Sequence, residues 1–118
     1  MFDAVIDCAC TTANTLESIR GLYAEIRRIL KPGGKLFSTA FTPETTGFGT
    51  GKKLEENTYQ SITEGAIAGH GIVHFTTDSE MRAILTDAGF CNIVIEKLIY
   101  TDRGNTISQL IITAERKL

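Results

Sequence analysis

The sequence predicts an α/β fold, in which a strand–helix–strand unit is followed by a second helix and an antiparallel hairpin. Three observations support this prediction: an apolar run at residues 2–7, an amphipathic helix pattern at 15–30 that stops at a Pro-Gly-Gly turn, and a second apolar run at 35–40. Two consecutive strands joined by a helical crossover lie parallel in one sheet, with a right-handed connection. We therefore expect residues 2–7 and 35–40 to be neighbouring parallel strands.

The first helix is predicted from apolar residues at helical spacing, namely Leu16, Ile19, Tyr23, Ile26 and Leu30. Asn14, with Glu17 three residues later, resembles a capping box at its start. At its end Pro32 cannot continue a helix, and Gly33-Gly34 allows the chain to reverse into the next strand. The pattern therefore gives a helix over 15–30 and a turn over 31–34.

A second helix is predicted to begin after Thr77, because Thr77 and Glu80, three residues later, form a capping-box pattern, and to end at Gly89. Strands follow at 92–100 and 106–114, and the short polar link between them contains glycine, which is typical of an antiparallel hairpin. Residues 42–71 show no sustained period and are expected to form an irregular excursion. Within and just after it we expect a short helix through Tyr59, Ile62, Ala66 and Ile67 and a short strand at 72–75.

Composition places the chain among ordinary globular proteins. Its 118 residues suit one domain, with 42% hydrophobic and 22% charged residues and a net charge of −2. Because the two signs are mixed along the chain, there is no basic stripe for nucleic acid and no polybasic membrane patch. No apolar stretch reaches the roughly 18 residues of a membrane helix, and we expect no signal peptide before the first strand. We expect a cytoplasmic protein, and the odd count of three cysteines fits a reducing compartment.

The order of these motifs resembles the C-terminal half of class I S-adenosylmethionine-dependent methyltransferases, of the methyltransferase type 11 kind. The resemblance rests on Phe2-Asp3-Ala4-Val5-Ile6-Asp7, on Leu30-Lys31-Pro32-Gly33-Gly34-Lys35-Leu36 and on the segment from His74 to Phe90. It implies a Rossmann-like half sheet, in which the family's fourth, fifth, seventh and sixth strands lie as contiguous neighbours. It also implies that residues 42–71 cover the substrate.

The family's glycine-rich donor-binding motif is absent from this sequence. The segment Gly47-Phe48-Gly49-Thr50-Gly51 does not replace it. Pro43 interrupts the strand that should lead into the motif, and Glu44 lies too far from the first glycine. In the family that motif, and the acidic residue that holds the donor's ribose, lie upstream of the segments matched here. We therefore expect the chain to be a partial domain, 1–118, that is inactive on its own.

The resemblance implies that S-adenosylmethionine is the cofactor and that Asp7, Cys8 and Ala9 lie beside the methyl-bearing sulfonium. For Asp7 the alternative is a polar residue that caps the following loop, and for Cys8 a small, half-buried residue at a strand end. His74 is the candidate catalytic base, because it lies just after the segment expected to cover the substrate; the alternative is a structural or substrate-pocket histidine. No metal site is predicted, because His70 and His74 lack a third ligand and the cysteines show no paired C-x-x-C spacing.

The complete protein is therefore expected to transfer a methyl group from S-adenosylmethionine to a small-molecule acceptor. The competing hypothesis is a non-catalytic methyltransferase-like module used for dimerisation or partner binding. Without the leading strands of the family's sheet, residues 2–7 would form an apolar edge with unpaired backbone groups. We expect a second copy of the chain to cover this edge in a two-fold homodimer.

Overall fold

Seven strands and two helices make up the chain in the computed structural model, which describes all residues from 1 to 118. In chain order they are β1 (Phe2–Cys8), α1 (Leu16–Ile29), β2 (Leu30–Phe41), β3 (Lys52–Glu55), β4 (Thr58–Gln60), β5 (Ile72–His74), α2 (Asp78–Asp87), β6 (Phe90–Asp102) and β7 (Asn105–Arg116). No helix is both long and apolar enough to cross a membrane.

The main sheet has the strand order β1-β2-β7-β6. β1 and β2 are parallel, with Val5 beside Leu36 and Asp7 beside Ser38, whereas β7 is antiparallel to both of its neighbours. The predicted parallel pair and the predicted contiguous order of four strands are therefore confirmed. β1 and β6 form the two edges of this sheet.

Both helices pack on the same face of the main sheet. Ile19 and Tyr23 from α1 and Met81, Ile84 and Leu85 from α2 are buried in one cluster with sheet residues that include Leu36, Leu110 and Ile112. Burying one such side chain contributes about 1.5–3 kcal/mol to stability. Because this cluster contains 12 buried residues, it is the principal core. The helical spacing of these residues in the sequence produces this arrangement, because it puts them all on one side of each helix.

The opposite face of the main sheet has no helix packed on it. Ile6, Phe37, Thr113 and Val94 form one row across all four strands. Ile6 is 74% exposed and Val94 is 50% exposed. A mainly apolar, partly exposed row of this kind marks a face that another surface can cover.

The first helix begins differently from the capping-box prediction, which is wrong. Thr15 is the N-cap residue, and its side chain makes no capping hydrogen bond. The side chain of Asn14 instead donates to the carbonyl of Thr11 (3.0 Å). The free N–H of Leu16 donates to Glu55 Oε1 (3.0 Å), so a residue of β3, distant in sequence, caps the helix.

The predicted turn at 31–34 is part of β2 in the structure. Leu30 already pairs with Phe2, whereas Lys35 pairs with Ala4, so the intervening residues bulge from the sheet. Gly33 has φ of +79°, a conformation that suits glycine. The sequence correctly marks where the chain leaves the helix, but the strand begins earlier than predicted.

Residues 42–71 contain more regular structure than expected. β3 and β4 lie within them, and β4 pairs with both β3 and β5 in a three-stranded antiparallel sheet. The short helix predicted through Tyr59 is wrong, because Tyr59 belongs to β4. The strand predicted at 72–75 is confirmed as β5, and a small second core forms from Tyr59, Ile62, Ile67, Val73 and Phe75.

The later elements agree with the sequence. Thr77 Oγ1 accepts a hydrogen bond from the Glu80 N–H (3.3 Å) at the start of α2, and Gly89 follows the helix with φ of +94°. β6 and β7 form the predicted hairpin, although both strands are longer than predicted. Arg103 and Gly104, both at positive φ, make the two-residue turn between them.

Candidate functional site

A cleft lies where β1 and β2 end and the chain enters β5. Its volume is about 440 Å³, and it is lined by Ala9, Thr12, Ala13, Phe41, His70, Gly71, Ile72 and Val73. The carboxyl ends of parallel strands are the usual place for ligands in open α/β sheets, and the volume lies within the range of small-molecule sites. The cleft is therefore the candidate site of this chain.

Asp7 shapes the loop that forms one wall of the cleft. Its side chain is buried, and Oδ1 accepts hydrogen bonds from the backbone N–H groups of Cys10 (3.0 Å) and Thr11 (2.9 Å). Oδ2 accepts a hydrogen bond from Ser38 Oγ on the neighbouring strand (2.5 Å). The carboxylate is thus engaged within its own chain, which matches the loop-capping alternative for Asp7.

Tyr23 completes this buried polar group from helix α1. Its hydroxyl lies 2.7 Å from Ser38 Oγ and 3.5 Å from Asp7 Oδ2. Burial raises the pKa of Tyr23 well above its ordinary value of 10.0, the negative charge of Asp7 adds to the rise, and only the Ser38 hydrogen bond opposes it. Tyr23 is therefore a neutral hydrogen-bonding partner that ties α1 to the ends of β1 and β2.

Ala9 is the one cofactor-binding candidate that lines the cleft. It has φ of +56°, and its N–H donates to the carbonyl of Thr39 (3.2 Å). A non-glycine residue in this conformation costs about 1–2 kcal/mol, and such strain often occurs at functional sites. Cys8 is exposed beside Thr39 and is not among the residues that line the cleft. Asp7 lies beneath the loop, so the three candidates are adjacent but differ in environment.

His74, the candidate base, lies outside the cleft and is 1% exposed. Its Nδ1 is 2.6 Å from Thr58 Oγ1, and its Nε2 is 2.6 Å from Glu80 Oε1. Both ring nitrogens are satisfied when Nε2 donates to the carboxylate and Nδ1 accepts from the hydroxyl. This geometry favours the structural alternative, because the ring joins β5 to β4 and α2; a catalytic role for His74 stays a prediction.

Sequence reasoning missed the side chains that line the cleft beside Ala9. His70 is exposed there, Phe41 is the last residue of β2, and Thr12 accepts a backbone hydrogen bond from His74 through its carbonyl (2.9 Å). The sequence pairs His70 with His74 as a weak metal site, and a structural or substrate-pocket histidine is the favoured alternative. Nothing local indicates that residue 70 lies opposite residue 9, since this depends on how β5 meets the β1 loop.

The cleft by itself does not fit a complete S-adenosylmethionine molecule. None of the lining residues is acidic, whereas this donor has a sulfonium, an ammonium group and two ribose hydroxyls that call for anionic or other accepting partners. The carboxylate of Asp7, on the adjoining strand end, is already engaged by the Cys10 N–H and by Ser38. Residues from outside this chain would have to supply those partners.

Comparison with solved structures identifies the fold. The chain matches an S-adenosylmethionine-dependent methyltransferase from Methanosarcina mazei with a TM-score of 0.72 and 24% identity, over 99% of this chain and 60% of that one. The chain has part of the class I methyltransferase fold. No protein-family model and no curated protein matches its sequence.

Two further matches are enzymes whose structures contain ligands. One is the Burkholderia thailandensis 1,6-didemethyltoxoflavin-N1-methyltransferase with 1,6-didemethyltoxoflavin and S-adenosylhomocysteine (TM-score 0.68, 19% identity, 99% of this chain and 44% of that one). The other is Haemonchus contortus phosphoethanolamine N-methyltransferase 2 with phosphomonomethylethanolamine and S-adenosylhomocysteine (0.64, 15%, 99% and 34%). The chain thus spans between 34% and 60% of these three proteins, and what is shared at these identities is the fold.

Proposed function

We propose that this chain is the acceptor-side portion of an S-adenosylmethionine-dependent methyltransferase that acts on a small molecule. One observation carries the proposal: nearly the whole chain matches methyltransferase structures. The position of its cleft, at the carboxyl ends of β1 and β2, agrees with it. In such an enzyme the donor supplies an activated methyl group, and most of the rate comes from holding the acceptor in line with it. A cytoplasmic location remains a prediction of the sequence.

This chain then shapes the acceptor pocket and orients the acceptor, whereas residues outside the chain hold most of the donor. Asp7 fixes the loop of Ala9 and Thr12 through hydrogen bonds to two backbone N–H groups of that loop. Phe41 and the residues before β5 form the other wall, which removes water from one side of a bound molecule. The chain alone is accordingly expected to be inactive.

Calorimetry with S-adenosylhomocysteine tests this division of labour. The chain alone should give no measurable binding heat. A fusion that adds the leading part of the Methanosarcina mazei methyltransferase before Met1 should bind with about micromolar affinity. The leading part alone is the control. A fusion that is folded by circular dichroism, yet binds no better than that control, would contradict the proposal.

The second candidate function is a non-catalytic module that forms a homodimer through β1. It is favoured by the exposed β1 edge, where Phe2 is 59% and Ile6 is 74% exposed, and by the uncovered sheet face behind it. Edge strands of this kind pair readily with another chain, and a two-fold interface would bury the same residues on both copies.

Sedimentation measurements on the chain and on Ile6→Lys test the module. A dimer that Ile6→Lys dissociates would support it, provided that Ile99→Lys on the opposite edge strand leaves the dimer intact. Ile99 is a matched control, because it is also an isoleucine of an edge strand and is 52% exposed. A monomer at every concentration would contradict the module.

A further inference from the structure

We infer that the cleft binds an uncharged, planar aromatic or heteroaromatic molecule, and that His70 accepts a proton from an acidic N–H or O–H of that molecule. If the proposed function holds, this molecule is the methyl acceptor, and in that sense the inference rests on it. The binding and the proton transfer themselves require no donor.

The chemistry of the walls selects the class of ligand. No lysine, arginine, aspartate or glutamate lines the cleft; its walls are mainly alkyl groups and the ring of Phe41. A phosphate or carboxylate would lose its hydration there without gaining a cationic partner, which is unfavourable. A flat, uncharged ring system loses little hydration and packs well against an aromatic side chain and small alkyl groups.

His70 is the lining residue whose side chain has a ring nitrogen able to accept a proton. It is exposed at the cleft, and its backbone N–H donates to the carbonyl of Ile67 (3.2 Å), which holds the residue beside β5. The two histidines differ in this respect, because the ring of His74 is buried and bonded at both nitrogens. Only His70 is placed to meet a small molecule.

The proton moves directly from the ligand to the imidazole of His70, and no other reactant takes part. The O–H or N–H bond of the ligand breaks, and the proton binds a ring nitrogen of His70 to give an imidazolium. The electron pair stays on the oxygen or nitrogen of the ligand, which becomes anionic and more nucleophilic. The positive imidazolium then stabilises this anion within the apolar cleft.

Two spectroscopic titrations of the purified chain test the inference. In the first, indole and 4-nitrophenol are added to the labelled chain and amide shifts are followed by NMR. We expect shifts concentrated at Thr12, Gly71 and Val73, and no such shifts with phosphocholine. Shifts distributed elsewhere, or phosphocholine binding more tightly than either aromatic compound, would overturn the inference.

The second titration follows the visible absorbance of 4-nitrophenol, which only its phenolate form shows, at a pH where the free phenol is mostly neutral. The chain should raise this absorbance. His70→Phe should abolish the rise while 4-nitrophenol still binds, because it retains a flat ring without a basic nitrogen. Ala13→Trp should fill the cleft and weaken binding at least about tenfold. An unchanged rise in His70→Phe would overturn the role of His70.

These outcomes are distinguishable from failure of the proposed function. If the aromatic probes bind and donate their proton, but the fusion protein binds no S-adenosylhomocysteine, the proposed function fails alone. If the fusion protein binds it and the probes do not enter the cleft, the inference about ligand class and His70 fails alone.

Discussion

Replacing Asp7 by alanine should destabilise the chain far more than the same change at Asp3, although both residues belong to β1. Asp3 has a side chain that is 88% exposed and forms a surface ion pair with Lys31 (3.2 Å). Asp7 is 6% exposed and accepts hydrogen bonds from two backbone N–H groups and from Ser38. The two aspartates therefore form a matched pair that differs in burial and bonding.

The expected magnitude follows from the hydrogen bonds that are lost. Each contributes about 1–1.5 kcal/mol net, so Asp7→Ala should cost about 3–5 kcal/mol. Asp7→Asn keeps one accepting oxygen, and its amide can donate to Ser38 Oγ, whose hydroxyl can then donate to Tyr23. That variant loses mainly the charge assistance and should cost about 1–2 kcal/mol. The exposed ion pair of Asp3 contributes at most about 1 kcal/mol.

Urea unfolding followed by circular dichroism measures these differences. With a slope of about 1.5 kcal/mol per molar urea, the midpoint should fall by about 1 M in Asp7→Asn and by about 2–3 M in Asp7→Ala. Asp3→Ala should lie within about 0.7 M of the wild type. Equal midpoints for the two alanine variants would contradict this prediction, and so would an asparagine variant as unstable as Asp7→Ala.

Three further predictions concern the surroundings of the cleft. Because burial raises the pKa of Tyr23 above 10.0, this tyrosine ionises at a lower pH in the unfolded chain than in the folded chain. Its contribution to the free energy of unfolding should therefore be fully present below pH 10 and be lost as the pH rises above it. Urea titrations over that interval should show a smaller loss of stability in Tyr23→Phe. Glu55→Ala removes the cap of α1 and should cost about 1 kcal/mol by urea unfolding, whereas the neighbouring, exposed Glu56→Ala should cost almost nothing. His74→Phe preserves bulk but removes two hydrogen bonds, so the melting temperature should fall by an amount equivalent to about 2 kcal/mol.

The sequence alone determined the framework of this protein. The helical spacing of Ile19 and Tyr23, the stop at Pro32, the cap at Thr77 and the glycine after α2 are local signals, and each acts within a few residues of its own position. Local signals of this kind fix which segments become helices and strands. The rule that helical crossovers join parallel strands then places β1 beside β2.

The tertiary structure decided the site, because its contacts join residues that are distant in sequence. Glu55 caps a helix that begins at Leu16, Ser38 donates to Asp7, and His70 lines the cleft with Ala9, whereas His74 is buried against Glu80. The two histidines are only four residues apart, yet His74 is a core residue and His70 lines the cleft. Their difference comes from the way β5 packs between β4, α2 and the β1 loop, and no local propensity encodes such long-range packing.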